Sequence, residues 1–126
     1  MSVDAYLEDE ELGIRLAKLA KDRGEWSQKT FGRDNERGPL GPLKRLAMEV
    51  NEAVAELYKQ NELAFQEELA DCLLLLLDAT RRGGLSLIAL VALAEVKMVK
   101  NKGRKWPPPR PNGEPVEHIR ETDRAA

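Results

Sequence analysis

The chain has 126 residues, 42% apolar, 33% charged and 5% aromatic, a size and balance that predict one compact domain over 1–126. A lone cysteine, Cys72, and a lone histidine, His118, exclude a disulfide framework, a CxxC redox centre and a Cys/His zinc site within one chain. The net charge of −2, from 20 basic and 22 acidic residues, gives no global attraction to nucleic acid or to an anionic membrane.

Apolar residues recur at helical spacing, and Val, Ile and Thr are too sparse for several strands, so the expected fold is an all-α four-helix bundle. Met1 to Gly13 carries Asp4, Glu8, Asp9, Glu10 and Glu11 without a base, the reverse of a targeting signal, and the expected location is the cytoplasm. A first helix is predicted from about Asp9 to Phe31, with a break or bend at Gly24 and an end at Gly32. The following GRDNERGPLG, Gly32 to Gly41, has the composition of a mobile surface loop able to fold over a site.

Pro42 suits the opening of a second helix, which runs to about Lys59 with Leu43, Leu46, Val50, Val54 and Leu57 on one side. A third helix, about Leu63 to Arg82, closes at Gly83 and Gly84. Its middle, Leu73 to Leu77, is apolar on every side and must be buried all round, so a homo-oligomer is expected. The apolar stretch from Leu69 to Ala79 is broken by Asp71 and Asp78 and is too short to cross a bilayer. Ser86 is the expected N-cap of a fourth helix reaching about Lys102. Trp106 and the prolines from Pro107 to Pro109 end it, and the tail 107–126 is expected to lie across another surface or to be partly disordered.

Two acidic pairs carry the chemistry. Glu49, Glu52 and Glu56 follow at three and four residues and share a stripe of the second helix, while Glu68 and Asp71 repeat the three-residue step on the third. A solvated face is the ordinary explanation for such a stripe. Asp71 is less ordinary, because it heads the leucine run between Ala70 and Cys72, where an unpaired carboxylate is costly and calls for a positive neighbour. If the two helices form a hairpin, Glu49, Glu52, Glu68 and Asp71 surround one small volume, and like charges that close demand divalent cations or protons. Oxygen ligands alone select Mg²⁺ or Mn²⁺, and neither helix has the ExxH of a di-iron bundle. A site holding more than one Mg²⁺ can grip a polyphosphate and acidify a water, which is the chemistry of phosphoanhydride hydrolysis.

Lys97, Lys100, Lys102, Arg104 and Lys105 crowd the end of the fourth helix, where the helix dipole alone would favour cations. Lys97, Asn101 and Arg104 share one face and, with Lys105, are candidates for holding phosphate. Trp106 is the only aromatic nearby, which argues against a nucleic-acid surface. Trp26 and Phe31, in EWSQKTFG, are either core anchors or the faces on which a base stacks. His118 is expected as a surface or packing residue, and Cys72 as an inert thiol.

The segments MEVNEAVAEL, EELADCLLLLLDA and EVKMVKNKGRKWPPP resemble the MazG-like all-α nucleoside triphosphate pyrophosphohydrolases, recognised by ExxE on one helix and ExxD on the next. EWSQKTFG before GPLGPLKRL, and NKGRKWPPP leading to GEPVEHIR, look closer to the phage-associated dATP/dGTP branch, MazZ. The resemblance covers about Trp26 to Arg120. It implies Mg²⁺-dependent cleavage of a purine deoxynucleoside triphosphate, dGTP or dATP, between the α and β phosphates, with release of the monophosphate and pyrophosphate. It also implies Glu49, Glu52, Glu68 and Asp71 as metal ligands, with Glu49 or Glu52 acting on the attacking water, in a dimer or tetramer. Two other functions fit the same residues: a pyrimidine-specific member acting on dCTP or dUTP, and a helical oligomerisation or partner-binding module without activity.

Overall fold

The computed structural model describes residues 3–120. They form four helices, α1 (Val3–Phe31), α2 (Leu40–Tyr58), α3 (Glu62–Arg82) and α4 (Leu87–Gly103), and the only strand-like pairing among the described residues is a single bridge between Lys105 and Ile119. The all-α expectation holds. None of these helices is long and apolar enough to cross a membrane.

Gly24 does not interrupt α1; it is buried within a continuous helix that starts well before Asp9. A Cβ there would lie 3.4 Å from the Arg81 side chain, so the glycine gives that guanidinium room to pass. The helix ends where Gly32 takes φ +107°, a conformation that favours glycine, with the Arg37 side chain packed 3.0 Å from where a Cβ would stand.

The segment after Gly32 is more firmly held than its composition suggests. The carbonyl of Arg33 accepts from the amides of Glu36 and Arg37, both at 3.0 Å, and Gln28 Oε1 accepts from the Asp34 amide at 3.4 Å. From α3, Arg81 Nε donates to Asp34 Oδ2 at 2.7 Å and Arg82 Nη2 to the Gly32 carbonyl at 3.1 Å. The local Gly, Pro, Asn and Asp content is the signal of a turn, while the arginines that fasten it stand 47 and 50 residues away in sequence.

Pro42 lies buried in the first turn of α2, and the helix opens at Leu40 behind Pro39. Lys59, Gln60 and Asn61 join α2 to α3, with Gln60 at φ +59° and the Asn61 side chain accepting from the Ala64 amide at 3.2 Å as an N-cap. The two helices pack on each other as the expected hairpin, and α1 packs against α3. At the far end of α3 the left-handed residue is Gly84 (φ +84°), Gly83 keeping φ −79°. Leu85 N donates to the Thr80 carbonyl at 3.0 Å, a Schellman closure. The Ser86 hydroxyl then accepts from the Ala89 amide at 3.3 Å and caps α4.

The chain divides into two compact units, 1–90 and 91–126. In the first, the buried hydrophobic side chains among the described residues are Ala53, Leu77 and Ala79. The leucine run of α3 is not covered on all sides by its own chain: Leu77 is buried and Leu74 and Leu75 half-buried, while Leu73 and Leu76 are 41% and 42% exposed. In the second unit, which holds the rest of α4 and the tail, Trp106 Nε1 donates to the Asn101 carbonyl at 2.7 Å and its ring meets His118 edge-on with centroids 5.9 Å apart. Ile119 N donates to the Lys105 carbonyl at 2.7 Å, and a turn at Gly113 (φ +73°) reverses the chain between them. Residues 107–120 therefore fold back on the end of α4, and His118 is a packing residue; 121–126 lie outside the described residues.

Candidate functional site

The hairpin brings one carboxylate of α2 against two of α3. Oxygens of Glu49, Glu68 and Asp71 lie within 4.8 Å of one another, with Glu49 buried, Glu68 half-buried and Asp71 exposed. Glu52 adjoins the trio through a hydrogen bond with Glu49 and its charge is felt at Glu68, but it does not belong to that closest group. Glu56, farther along the stripe, turns to Lys59 at 3.6 Å. Asp71 differs from its expected setting: it stands exposed to solvent, and the buried member of the cluster is Glu49 on α2.

The trio is only partly neutralised. A hydrogen bond shared with Glu49, then burial and the charges of Glu49, Glu52 and Asp71, push the Glu68 carboxyl up to about 7. Glu49 is held below its ordinary value, chiefly by the hydrogen bond from Glu68, with Glu52 and Arg45 adding to it against the cost of burial. Arg45 Nη2 lies 2.8 Å from Glu49 Oε1. The second oxygen of Glu68, Oε2, is buried without a hydrogen-bond partner. Three convergent carboxylates, one of which, Glu68, both keeps its proton near neutrality and has a bare buried oxygen, fit a hard divalent cation. Cys72 sits beside them; burial, followed by Glu49, Glu68 and Asp71, pushes its thiol up, which agrees with an inert residue.

Glu49 and Asp71 also line a cavity of about 450 Å³ within the first unit. α1 contributes Arg23, Trp26, Ser27 and Phe31 to its wall, and α3 contributes Leu74, Leu75, Asp78 and Arg82. Trp26 and Phe31 meet edge-on with centroids 5.3 Å apart, and both are about half exposed, so neither is a core anchor. The Arg23 guanidinium lies 4.8 Å above the Trp26 ring.

Asp78, not Asp71, is the desolvated carboxylate of α3, at 2% exposure. Its positive neighbours are Arg23, at 2.9 Å, and Arg81, at 3.0 Å. Arg81 also reaches Asp34; burial works against its charge, but the hydrogen bonds to Asp34 and Asp78 outweigh it and raise its pKa. Arg23, Arg45, Arg82 and Ser27 escaped the sequence reading. The available signal was their spacing: Arg23 and Ser27 are one turn apart on the helix that carries Trp26 and Phe31, and Asp78 follows Asp71 by two turns. Lys97, Asn101, Arg104 and Lys105 belong to the second unit, where Asn101 Oδ1 accepts from Arg104 Nη1 at 3.2 Å.

Residues 19–125 match the protein family described as dATP/dGTP pyrophosphohydrolase. The chain belongs to that family. The Eaa protein of Salmonella phage P22 is 41% identical over 104 residues, which are 82% of this chain and 30% of that relative, so the chain spans about 30% of its length. Among solved structures, the chain is similar to a cyanophage S-2L MazG-like pyrophosphohydrolase bound to dGDP and three catalytic Mn²⁺ ions per active site. That match has a TM-score of 0.59 at 25% identity and covers 83% of this chain and 93% of the other. The family is thus the MazG-like group that ExxE and ExxD suggested, in the phage-associated branch that EWSQKTFG and NKGRKWPPP suggested, and it is a family of enzymes.

Proposed function

We propose that the chain, acting as a single domain, hydrolyses purine deoxynucleoside triphosphates, dGTP and dATP, to the monophosphate and pyrophosphate with Mg²⁺, for which Mn²⁺ substitutes. The observation that carries this reading is that Glu49 and Asp71, two of the three clustered acids, line one cavity with the aromatic pair Trp26 and Phe31. Converging acids that outnumber their basic partner, Arg45, suit the phosphate end of a nucleotide with its metals, and half-exposed rings suit a base. The family description and the dGDP and Mn²⁺ of the cyanophage relative support the same substrate class.

In this reading Glu49, Glu68, Asp71 and the adjoining Glu52 hold the divalent ions. When bound, those ions neutralise phosphate charge and acidify water. Glu49 and Glu52 are the carboxylates proposed to orient the attacking water and accept its proton, and Arg45, at the same cavity wall, is placed to keep Glu49 ionised for that role. The proton leaves the water as its oxygen bonds to the α phosphorus, and the bond to the β-phosphate bridge oxygen breaks to release pyrophosphate. Lys97, Asn101, Arg104 and Lys105 are a further proposed source of phosphate-binding charge. A second copy of the chain is proposed to cover the exposed leucines of α3, as a homodimer or homotetramer, with a light-scattering mass of one chain as the result against it.

Product analysis decides the reaction: a panel of dNTPs and NTPs with and without Mg²⁺, resolved by ion exchange. Metal-dependent dGMP or dAMP with pyrophosphate is expected. dCMP or dUMP alone moves the chain to a pyrimidine specificity, and absence of product from every nucleotide removes the hydrolase reading.

A further inference from the structure

Among the described residues, four have a buried side-chain polar atom without a hydrogen-bond partner: Ser27 Oγ, Asp34 Oδ1, Glu68 Oε2 and Arg82 Nε. Three of these atoms have a reason on hand. Asp34 Oδ1 and Arg82 Nε face each other at 3.4 Å as an ion pair, and Glu68 Oε2 belongs to the acidic cluster. Ser27 alone has no compensation. It is 1% exposed, in mid-helix, and its hydroxyl does not donate to the preceding turn. Thr80, also buried in a helix, does so, reaching the Leu76 carbonyl at 2.7 Å. A buried hydroxyl without a hydrogen bond is costly, and this residue lines the cavity together with the two aromatic residues of its own helix.

We infer that Ser27 is a specificity-determining residue whose hydroxyl hydrogen-bonds the 6-position edge of the purine held against Trp26 and Phe31, an inference that rests on the nucleotide site proposed above. The acids of the same cavity call for the phosphate end with its metals, which leaves the part lined by Trp26, Ser27 and Phe31 for the base. A hydroxyl rotates to donate or to accept. It therefore meets the carbonyl O6 of guanine as donor and the amino N6 of adenine as acceptor, and one residue serves both purines where a fixed donor or acceptor would serve one.

The test is Ser27→Ala against the unaltered chain, with dGTP, dATP and the triphosphate of purine deoxyriboside, which has hydrogen at position 6. For dGTP and dATP the variant is expected to raise KM about three- to tenfold with kcat nearly unchanged, the worth of one hydrogen bond to a ligand. With the 6-unsubstituted analogue the two proteins are expected to have equal KM. The melting temperature of the nucleotide-free variant is expected to match or exceed that of the unaltered protein, because an unsatisfied hydroxyl has been removed. Equal KM for dGTP and dATP in both proteins overturns the inference, as does an equal loss with the analogue, which would put the contact elsewhere on the nucleotide. Calorimetric binding of α,β-methylene dGTP with Mn²⁺ separates the two readings. Ser27-dependent binding without turnover removes hydrolysis and keeps the contact, and binding that ignores Ser27→Ala removes the contact and keeps the site.

Discussion

α3 carries two polar sites two turns apart, and they are built on opposite principles. Around Asp78 every charge is answered: Arg23 and Arg81 hold its two oxygens, and Asp34 takes the other side of Arg81. Around Glu68 and Asp71 the neighbours are more acid, and the one adjacent base, Arg45, lies 2.8 Å from Glu49. The first arrangement has the form of a structural network. The second stores repulsion that a cation would relieve, the form of a site waiting for a ligand. Proximity on one helix does not make two acids alike; what decides their role is whether the fold supplies the opposite charge.

Substitutions that exchange the two behaviours would break this contrast. Asp71→Asn or Glu49→Gln is expected to lower pyrophosphate release more than about a hundredfold, since even outer partners of metal ligands cost 10- to 100-fold, while helical circular dichroism is retained. Near-normal turnover in Asp71→Asn would remove the acidic cluster from the reaction. Asp78→Ala is expected to do the converse, lowering stability by about 3 kcal/mol in urea unfolding, because Arg23 loses its carboxylate partner and Arg81 keeps only Asp34. A smaller effect sharpens the comparison: millimolar Mn²⁺ or Mg²⁺ is expected to raise Tm by about 5 °C at pH 8 in the parent and not in Glu68→Gln.

The smallest expected effect is on pH dependence without metal. The folded-state value of Glu68, about 7, lies above its unfolded value of 4.5, so the stability tied to its proton is complete below 4.5 and lost as pH rises through about 7. Glu49 is shifted the other way, and its contribution is lost only as pH falls below its unfolded value. Thermal melts in EDTA between pH 5 and 8 are expected to decline in the parent and to flatten in Glu68→Gln. An equal slope in both proteins would place the titration on another group.

The helices, the hairpin and the acidic pairs were legible because periodicity and three-residue spacing are local properties of a chain. ExxE and ExxD said which acids share a face, and a three-residue turn at Lys59 to Asn61 was enough to set those faces together. Which acid is desolvated was not legible. Asp71 and Asp78 both interrupt the same leucine run, and only the packing of α1 on α3, with Arg23 and a buried Gly24, distinguishes them. The cavity wall on α1 was half read: Trp26 and Phe31 stand out by type, whereas Ser27 is conspicuous only once its missing partner is seen. Gly24 misled for a related reason, since a glycine that weakens a helix locally can be present to admit a neighbour's side chain.

The fastening of Gly32 and Asp34 by Arg81 and Arg82 bears on the cost of recognition. Phe31 and Pro42 flank that segment and line the cavity, so part of the site's rim is set before any nucleotide arrives. A rim that must fold on contact would spend binding energy on its own ordering, about 1–2 kcal/mol for each backbone residue fixed. Here that loss of freedom was incurred when the chain folded, so a ligand meets this edge already ordered.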